Sequence, residues 1–310
     1  MLNRRSFLTT GAASAVALLT PGALARAAAR VMACAGEPAF RISLAQWSLH
    51  RTHGSGELPA LDFPARARKL GFEGVEYVNS FFRDQVKDFG WLGELKRRCE
   101  AEGVRSLLIM CDGLGALGDA NAAARARAIE NHWPWLDAAK FLGCHSIRVN
   151  AQSSGTWEEQ RGRAAEGLQM LTEVAQAYDL NVIVENHGGL SSNGKWLSEV
   201  IRTVNLPHCG TLPDFGNFSL GDGKWYDRYD GVRELMPFAK AVSAKSHDFD
   251  ELGNETHTDY RKMLRIVLDA GYNTWIGVEY EGEGVGEEQG ILLTKALLER
   301  VREEFASEGG

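Results

Sequence analysis

Three carboxylates and one imidazole stand at or just past the ends of short apolar runs in the second half of the sequence. Val182-Ile183-Val184 leads into Glu185, with Asn186 and His187 behind it, and Thr211-Leu212-Pro213 leads into Asp214. Lys245-Ser246 precedes His247, and Ile276-Gly277-Val278 leads into Glu279. The intervals are 29, 33 and 32 residues, each about the length of one strand-plus-helix unit of roughly 30 residues. A carboxylate closing a buried strand is costly unless it is paired or holds a cation. Four such groups on one repeat point to a shared divalent ion, and these hard and borderline donors suit Mn²⁺, Mg²⁺, Co²⁺ or Zn²⁺.

Such a site needs strands that deliver their ends to one rim. Eight short runs rich in β-branched residues cover 40–47, 72–78, 104–111, 144–150, 181–185, 208–212, 241–244 and 274–280. Segments with helical periodicity separate them, at 61–70, 91–102, 120–142, 157–178, 195–204, 232–239, 260–270 and 289–305. Gly71, Gly103, Gly143 and Gly271 sit where these helices should stop. Eight strands alternating with helices have the size and order of an α/β (β/α)8 TIM barrel in a single domain, residues 36–307. A doubly wound sheet would place a Gly-rich phosphate turn after its first strand, whereas Trp47-Ser48-Leu49-His50 stands there. In a barrel the chemistry sits at the carboxyl ends of the strands.

Other residues near those ends have two readings each. His187 shares parity with Glu185 and either contacts a substrate hydroxyl or faces solvent. Trp47 and His50 form an apolar wall with a polar contact, or Trp47 packs into the core. Arg148, with Glu76 and Asn150 at neighbouring run ends, binds substrate or pairs with an acid on the next strand. Lys245 steadies a negative oxygen or pairs with Asp214 or Glu279. Glu281 shares parity with Glu279 and competes for its role. The aromatic stretch Trp225–Tyr229 suits a cover over a sugar ring, and His132-Trp133-Pro134-Trp135 suits helix-to-barrel packing.

Glu185, the turn Asp214-Phe215-Gly216-Asn217, and Gly277-Val278-Glu279-Tyr280-Glu281-Gly282 carry a resemblance to the xylose isomerase-like TIM barrels, in their sugar epimerase and isomerase branch. The resemblance spans about residues 40–305. It implies one divalent metal held by Glu185, Asp214, His247 and Glu279, with Glu185 and Glu279 moving protons next to a sugar carbonyl through an enediolate. Three positions depart from the pattern. Many members carry the seventh-strand His two residues before a Lys, where this chain has Ser243 before Lys245. Ketose 3-epimerases have a His three residues after the Asp, where Asn217 stands, and an Arg six residues after the His, where Gly253 stands. The metal chemistry thus carries over with Asn217 as a substrate contact, while the epimerases' sugar recognition does not. Three outcomes remain open: an isomerase or epimerase of an unphosphorylated keto-sugar, a lyase on 3-keto-glycosides, and a non-catalytic exported sugar-binding protein.

Composition narrows the partners. The chain of 310 residues is 44% hydrophobic and 24% charged with a formal charge of -7, globular in class with ample core. An acidic chain with scattered bases lacks the footprint of a nucleic-acid binder, and no cluster of Arg and Lys is built for phosphate. A small free sugar or keto-sugar is the expected partner, and a homo-oligomer is compatible with the sequence. Of five cysteines without CxxC spacing, Cys111, Cys144 and Cys209 lie in or beside apolar runs and read as core residues. Residues 1–29 begin Asn3-Arg4-Arg5-Ser6-Phe7-Leu8 before an apolar stretch to Leu19, about half the ~20 residues a membrane span needs. They resemble a twin-arginine signal, with cleavage after Ala25 or Ala29. The expectation is a bacterial periplasmic or secreted protein, exported folded and without a membrane span.

Overall fold

The computed structural model describes residues 38–308. The expected signal segment, residues 1–29, lies outside them. Eight parallel strands form the central sheet: β1 Arg41–Ala45, β2 Gly74–Val78, β3 Arg105–Met110, β4 Ser146–Val149, β5 Asn181–Glu185, β6 Cys209–Leu212, β9 Val242–Ser246 and β10 Trp275–Tyr280. A two-stranded hairpin, β7 Ser219–Gly221 and β8 Lys224–Trp225, interrupts the alternation after β6. The sheet order is β6-β5-β4-β3-β2-β1-β10-β9. The β6–β9 edges close by isolated parallel bridges, Asp214 with Ser243 and Thr211 with Ala239. At that seam Ser243 N–H donates to Pro213 O at 2.9 Å and Phe215 N–H to Ser243 O at 3.1 Å. The alternation read from the sequence is therefore a closed barrel, and Asp214 sits on its closing seam.

The helices are α1 His50–Gly54, α2 Phe63–Lys69, α3 Phe89–Glu102, α4 Ala122–Leu142, α5 Trp157–Gln176, α6 Gly194–Val204, α7 Arg228–Leu235, α8 Tyr260–Asp269 and α9 Glu287–Glu308. Six start on a side chain that accepts from first-turn N–H groups: Asp88, Asn121, Thr156, Asn193, Asp227 and Asp259. Thr156 completes a reciprocal capping box with Glu159. Gly103 and Gly143 end α3 and α4 with φ of 65° and 82°, a backbone that a side chain disfavours. Two expectations shift here. The seventh helix starts at Arg228 rather than 232, because Asp227 caps it, and Trp225 belongs to β8 rather than to an open loop.

Outward-facing strand residues such as Ile42, Leu44, Val75, Tyr77, Val182, Val184, Val242 and Val278 join one large apolar cluster with the helices. Trp135 is buried in it while Trp133 stays half-exposed, as alternate faces of α4 require. Cys99, Cys111, Cys144 and Cys209 are free and buried. Among the described residues, no helix is long and apolar enough to cross a membrane.

Candidate active site

Strand alternation turns every second residue inward. Inside, a small apolar group (Ala45, Val78, Leu108, Met110, Ile183, Leu212 and Ala241) shares the barrel with buried Ser43, Glu76, Arg148, Glu185, Asp214, Ser243, Lys245 and Glu279. Donor oxygens of Glu185, Asp214 and Glu279 all lie within 4.8 Å of one another. The three expected carboxylates do meet.

Each is held by named partners. Glu185 Oε1 accepts from Asn217 Nδ2 at 2.7 Å, and its Oε2 lies 2.8 Å from Arg148 Nε. Asp214 Oδ1 accepts from the N–H groups of Gly216 and Asn217 at 2.8 and 2.7 Å. Its backbone is clamped by Asn186, whose Oδ1 accepts from Asp214 N at 2.7 Å and whose Nδ2 donates to Asp214 O at 3.0 Å. Glu279 Oε1 lies 3.1 Å from Lys245 Nζ, and its Oε2 accepts from Ser243 Oγ at 3.0 Å. Ser243, the position where a His was looked for, therefore holds Glu279. Lys245 Nζ also meets Glu281 Oε1 at 3.2 Å and donates to Asn217 Oδ1 at 3.3 Å. Both readings of Arg148 and Lys245 as partners of neighbouring acids hold, and both stand inside the site.

The electrostatics leave a deficit of positive charge. Burial pushes the Asp214 carboxyl up to about 8, with Glu185 and Glu279 adding to it against the pull of Lys245. Burial acts the same way on Glu279, but Lys245 and Arg148 outweigh it and hold that carboxyl below its ordinary value. Asp214 Oδ2 is buried without a hydrogen-bond partner. An orphaned carboxylate oxygen among three converging oxygens is what a hard divalent cation needs, and its charge would favour the ionised form of Asp214. The residues fit a metal.

His247 does not join the three carboxylates. β9 ends at Ser246, so the alternation that turns Ser243 and Lys245 inward stops before position 247. Its imidazole instead packs edge-on against His257, with ring centroids 5.8 Å apart. His187 is exposed at the rim, and Trp47 is half-buried, stacked on His50 at 4.9 Å.

Two contributors were not singled out from sequence. Asp112, two residues past β3, takes Arg148 Nη1 at 2.6 Å and Asn150 Nδ2 at 2.7 Å. Burial opposes its charge, but Arg148 and Asn150, with His187 nearby, hold the carboxyl below its ordinary value. Its place straight after the apolar run 104–111 was the available signal. Ser43 Oγ donates to Glu76 Oε1 at 2.6 Å. Burial pushes Glu76 up to about 7, and Glu279 and Glu185 add to it. Gly277 makes the room: a Cβ there would come within 2.6 Å of Glu76 Oε1.

Known proteins share this frame. The chain is similar to D-psicose 3-epimerase solved in the presence of D-fructose (12% identity, TM-score 0.65, covering 84% of this chain and 99% of that one). It is also similar to a xylose isomerase-like TIM barrel protein from Mycobacterium smegmatis in complex with magnesium (15% identity, TM-score 0.65, 86% and 99%). A third is 3-keto-D-glucoside 4-epimerase from E. coli (13% identity, TM-score 0.63, 85% and 100%). Over 77 residues the chain is 35% identical to the C-glycoside deglycosidase alpha subunit of Arthrobacter globiformis, a stretch covering 23% of this chain and 22% of that protein. Residues 64–303 match the xylose isomerase-like TIM barrel, and the chain belongs to that family.

Proposed function

We propose that this chain is a divalent-metal-dependent sugar isomerase or epimerase, moving a proton next to the carbonyl of an unphosphorylated keto-sugar. The observation that carries the reading is the buried convergence of Glu185, Asp214 and Glu279 within 4.8 Å, with Asp214 Oδ2 lacking a partner. Glu185, Asp214 and Glu279 would hold the ion, which supplies Lewis-acid polarisation of a carbonyl and its neighbouring hydroxyl. Glu279, kept ionised at neutral pH, takes the proton from the carbon beside the carbonyl. Arg148 and Asn217 fix both oxygens of Glu185. A proton passed from solvent through Glu185 returns to the same carbon from the other face while Glu279 releases its own to solvent, or Glu279 hands its proton to the adjacent carbon. Asn217 Nδ2, with one N–H on Glu185, offers its other N–H to the oxygen on which negative charge develops.

Among the described residues, the buried bases of the barrel interior, Arg148 and Lys245, are engaged by carboxylates, so a phosphate would find no free cation there. This favours unphosphorylated sugars. The amino-terminal segment supports a periplasmic or secreted location, which agrees with that preference.

A second reading is elimination from a 3-keto-glycoside: the same proton abstraction, followed by departure of the β-oxygen substituent with protonation by the second glutamate. The local likeness to a C-glycoside deglycosidase subunit favours it. Incubation with Mn²⁺ or Mg²⁺, a panel of keto-sugars and 3-keto-glycosides, and D₂O separates these readings. Deuterium at a carbon beside the carbonyl with conserved mass supports isomerisation or epimerisation, and loss of the aglycone supports elimination. Absence of exchange from every free sugar, with rapid exchange from sugar phosphates, contradicts the substrate assignment.

A further inference from the structure

The loops that follow β1 and β2 open on the same face as the strand ends that carry the carboxylates, and β1 lies directly beside β10. Between these loops is a cavity of about 420 Å³ lined by His53, Leu58, Pro59, Ala60, Ser80, Phe81 and two glycines. No lining side chain is an acid, Lys or Arg. The 690 Å³ cleft over α7, α8 and α9 is the opposite, lined by Arg233, Arg261, Lys262 and Arg265 beside Glu304 and Glu308.

His53 is the one titratable group in the lining, and burial favours its neutral form against the Leu58 hydrogen bond. Gln46 Oε1 accepts from Val78 N–H at 2.9 Å, so Gln46 presents its amide Nε2 as donor to His53 Nε2 at 3.4 Å. His53 Nδ1 then carries the proton and donates to Leu58 O at 2.7 Å.

The cavity is joined to the barrel by aromatic rings. His53 stacks on Phe81 (4.5 Å, 27°), Phe81 meets Trp47 (6.0 Å, 31°), and Trp47 stacks on His50 (4.9 Å, 17°). Trp47 and Phe81 both pack against the apolar group inside the barrel. Phe81 therefore faces the cavity on one side and the barrel interior on the other. Rings whose neighbouring pairs lie 17° to 31° from parallel, next to an uncharged cavity of the size that takes a small ligand (roughly 300–1,000 Å³), favour a flat apolar guest over a polyhydroxylated one.

We propose that this cavity is a subsite for a planar apolar aglycone, so that the substrate is a glycoside whose keto-sugar ring lies at the carboxylates and whose aromatic substituent lies between the first two loops. This rests on the sugar reading above and deepens it by naming the substrate class.

The test has two independent arms. In the first, 2-naphthol alone is titrated calorimetrically into the intact protein. Binding is expected, weakened about tenfold by Phe81→Ala and by Ser80→Trp, which fills the cavity from its exposed rim. In the second, kcat/KM is compared for naphthyl and methyl 3-keto-glucosides. Phe81→Ala should lower the naphthyl-to-methyl ratio about tenfold. Absence of naphthol binding, or binding and ratio unchanged in both variants, overturns the subsite. Weakened naphthol binding in the variants without turnover of any keto-glycoside upholds the subsite and contradicts the sugar reading instead.

Discussion

The same strands present two chemistries on their two faces. Along β9, Val242 and Ala244 turn outward into the apolar cluster, while Ser243 and Lys245 turn inward to Glu279. On β10, Val278 packs outward and Glu279 is buried inside. The outer face is uniform, and burying it against the helices supplies the stability. The inner face gathers Glu76, Glu185, Asp214 and Glu279 around Arg148 and Lys245, groups whose burial is unfavourable unless something compensates. Function occupies the face that folding alone would have made apolar.

Substitutions on the two faces should therefore separate activity from stability. Glu279→Gln on the inner face should reduce turnover by about 10³-fold or more, with the melting temperature preserved; a comparable loss of both would break the distinction. On the outer face, Leu264→Ala in α8 removes a fully buried side chain and should cost about 2–5 kcal/mol. Turnover per folded molecule should then be close to wild type when measured at low temperature.

Glu76 sharpens the comparison through pH. Its folded value of about 7 lies above that of an unfolded glutamate, so folding favours the protonated form. The resulting stability is complete below the unfolded value and is lost as pH rises through about 7, by roughly 3–4 kcal/mol. In metal-free protein, denaturation of Glu76→Gln should be flatter than wild type between pH 5 and 7.5; equal slopes would contradict the assignment. The smallest effect is expected at Asn217, which touches Glu185 and Lys245. Asn217→Ala should lower kcat/KM about tenfold with little change in stability.

Much of this was legible because a period of two is sharp. The run Asn181–Glu185 coincides with β5, and positions at the ends of apolar runs one βα unit apart placed Glu185, Asp214 and Glu279 on one rim. His247 lies one residue past the end of β9 at Ser246, and the convergence within 4.8 Å is of Glu185, Asp214 and Glu279. The β7–β8 hairpin escaped notice because only Leu220 is apolar in the short Ser219–Gly221 strand, although Asp222-Gly223, with φ of 51° and 72°, is the left-handed pair such turns use. Asp112 was overlooked because a loop acid has no periodicity, and its meeting with Arg148 across β3 and β4 is a tertiary fact. The aromatic column from Trp47 to His53 likewise depends on how two loops pack.

The central claim is that the carboxylates on the inner face hold one cation. Titration of the metal-free protein with Mn²⁺, followed calorimetrically, tests it most directly. The account predicts one site per chain in the wild type and its loss in Asp214→Ala. A wild type that binds no divalent ion, or an Asp214→Ala variant that binds one with undiminished affinity, would contradict it.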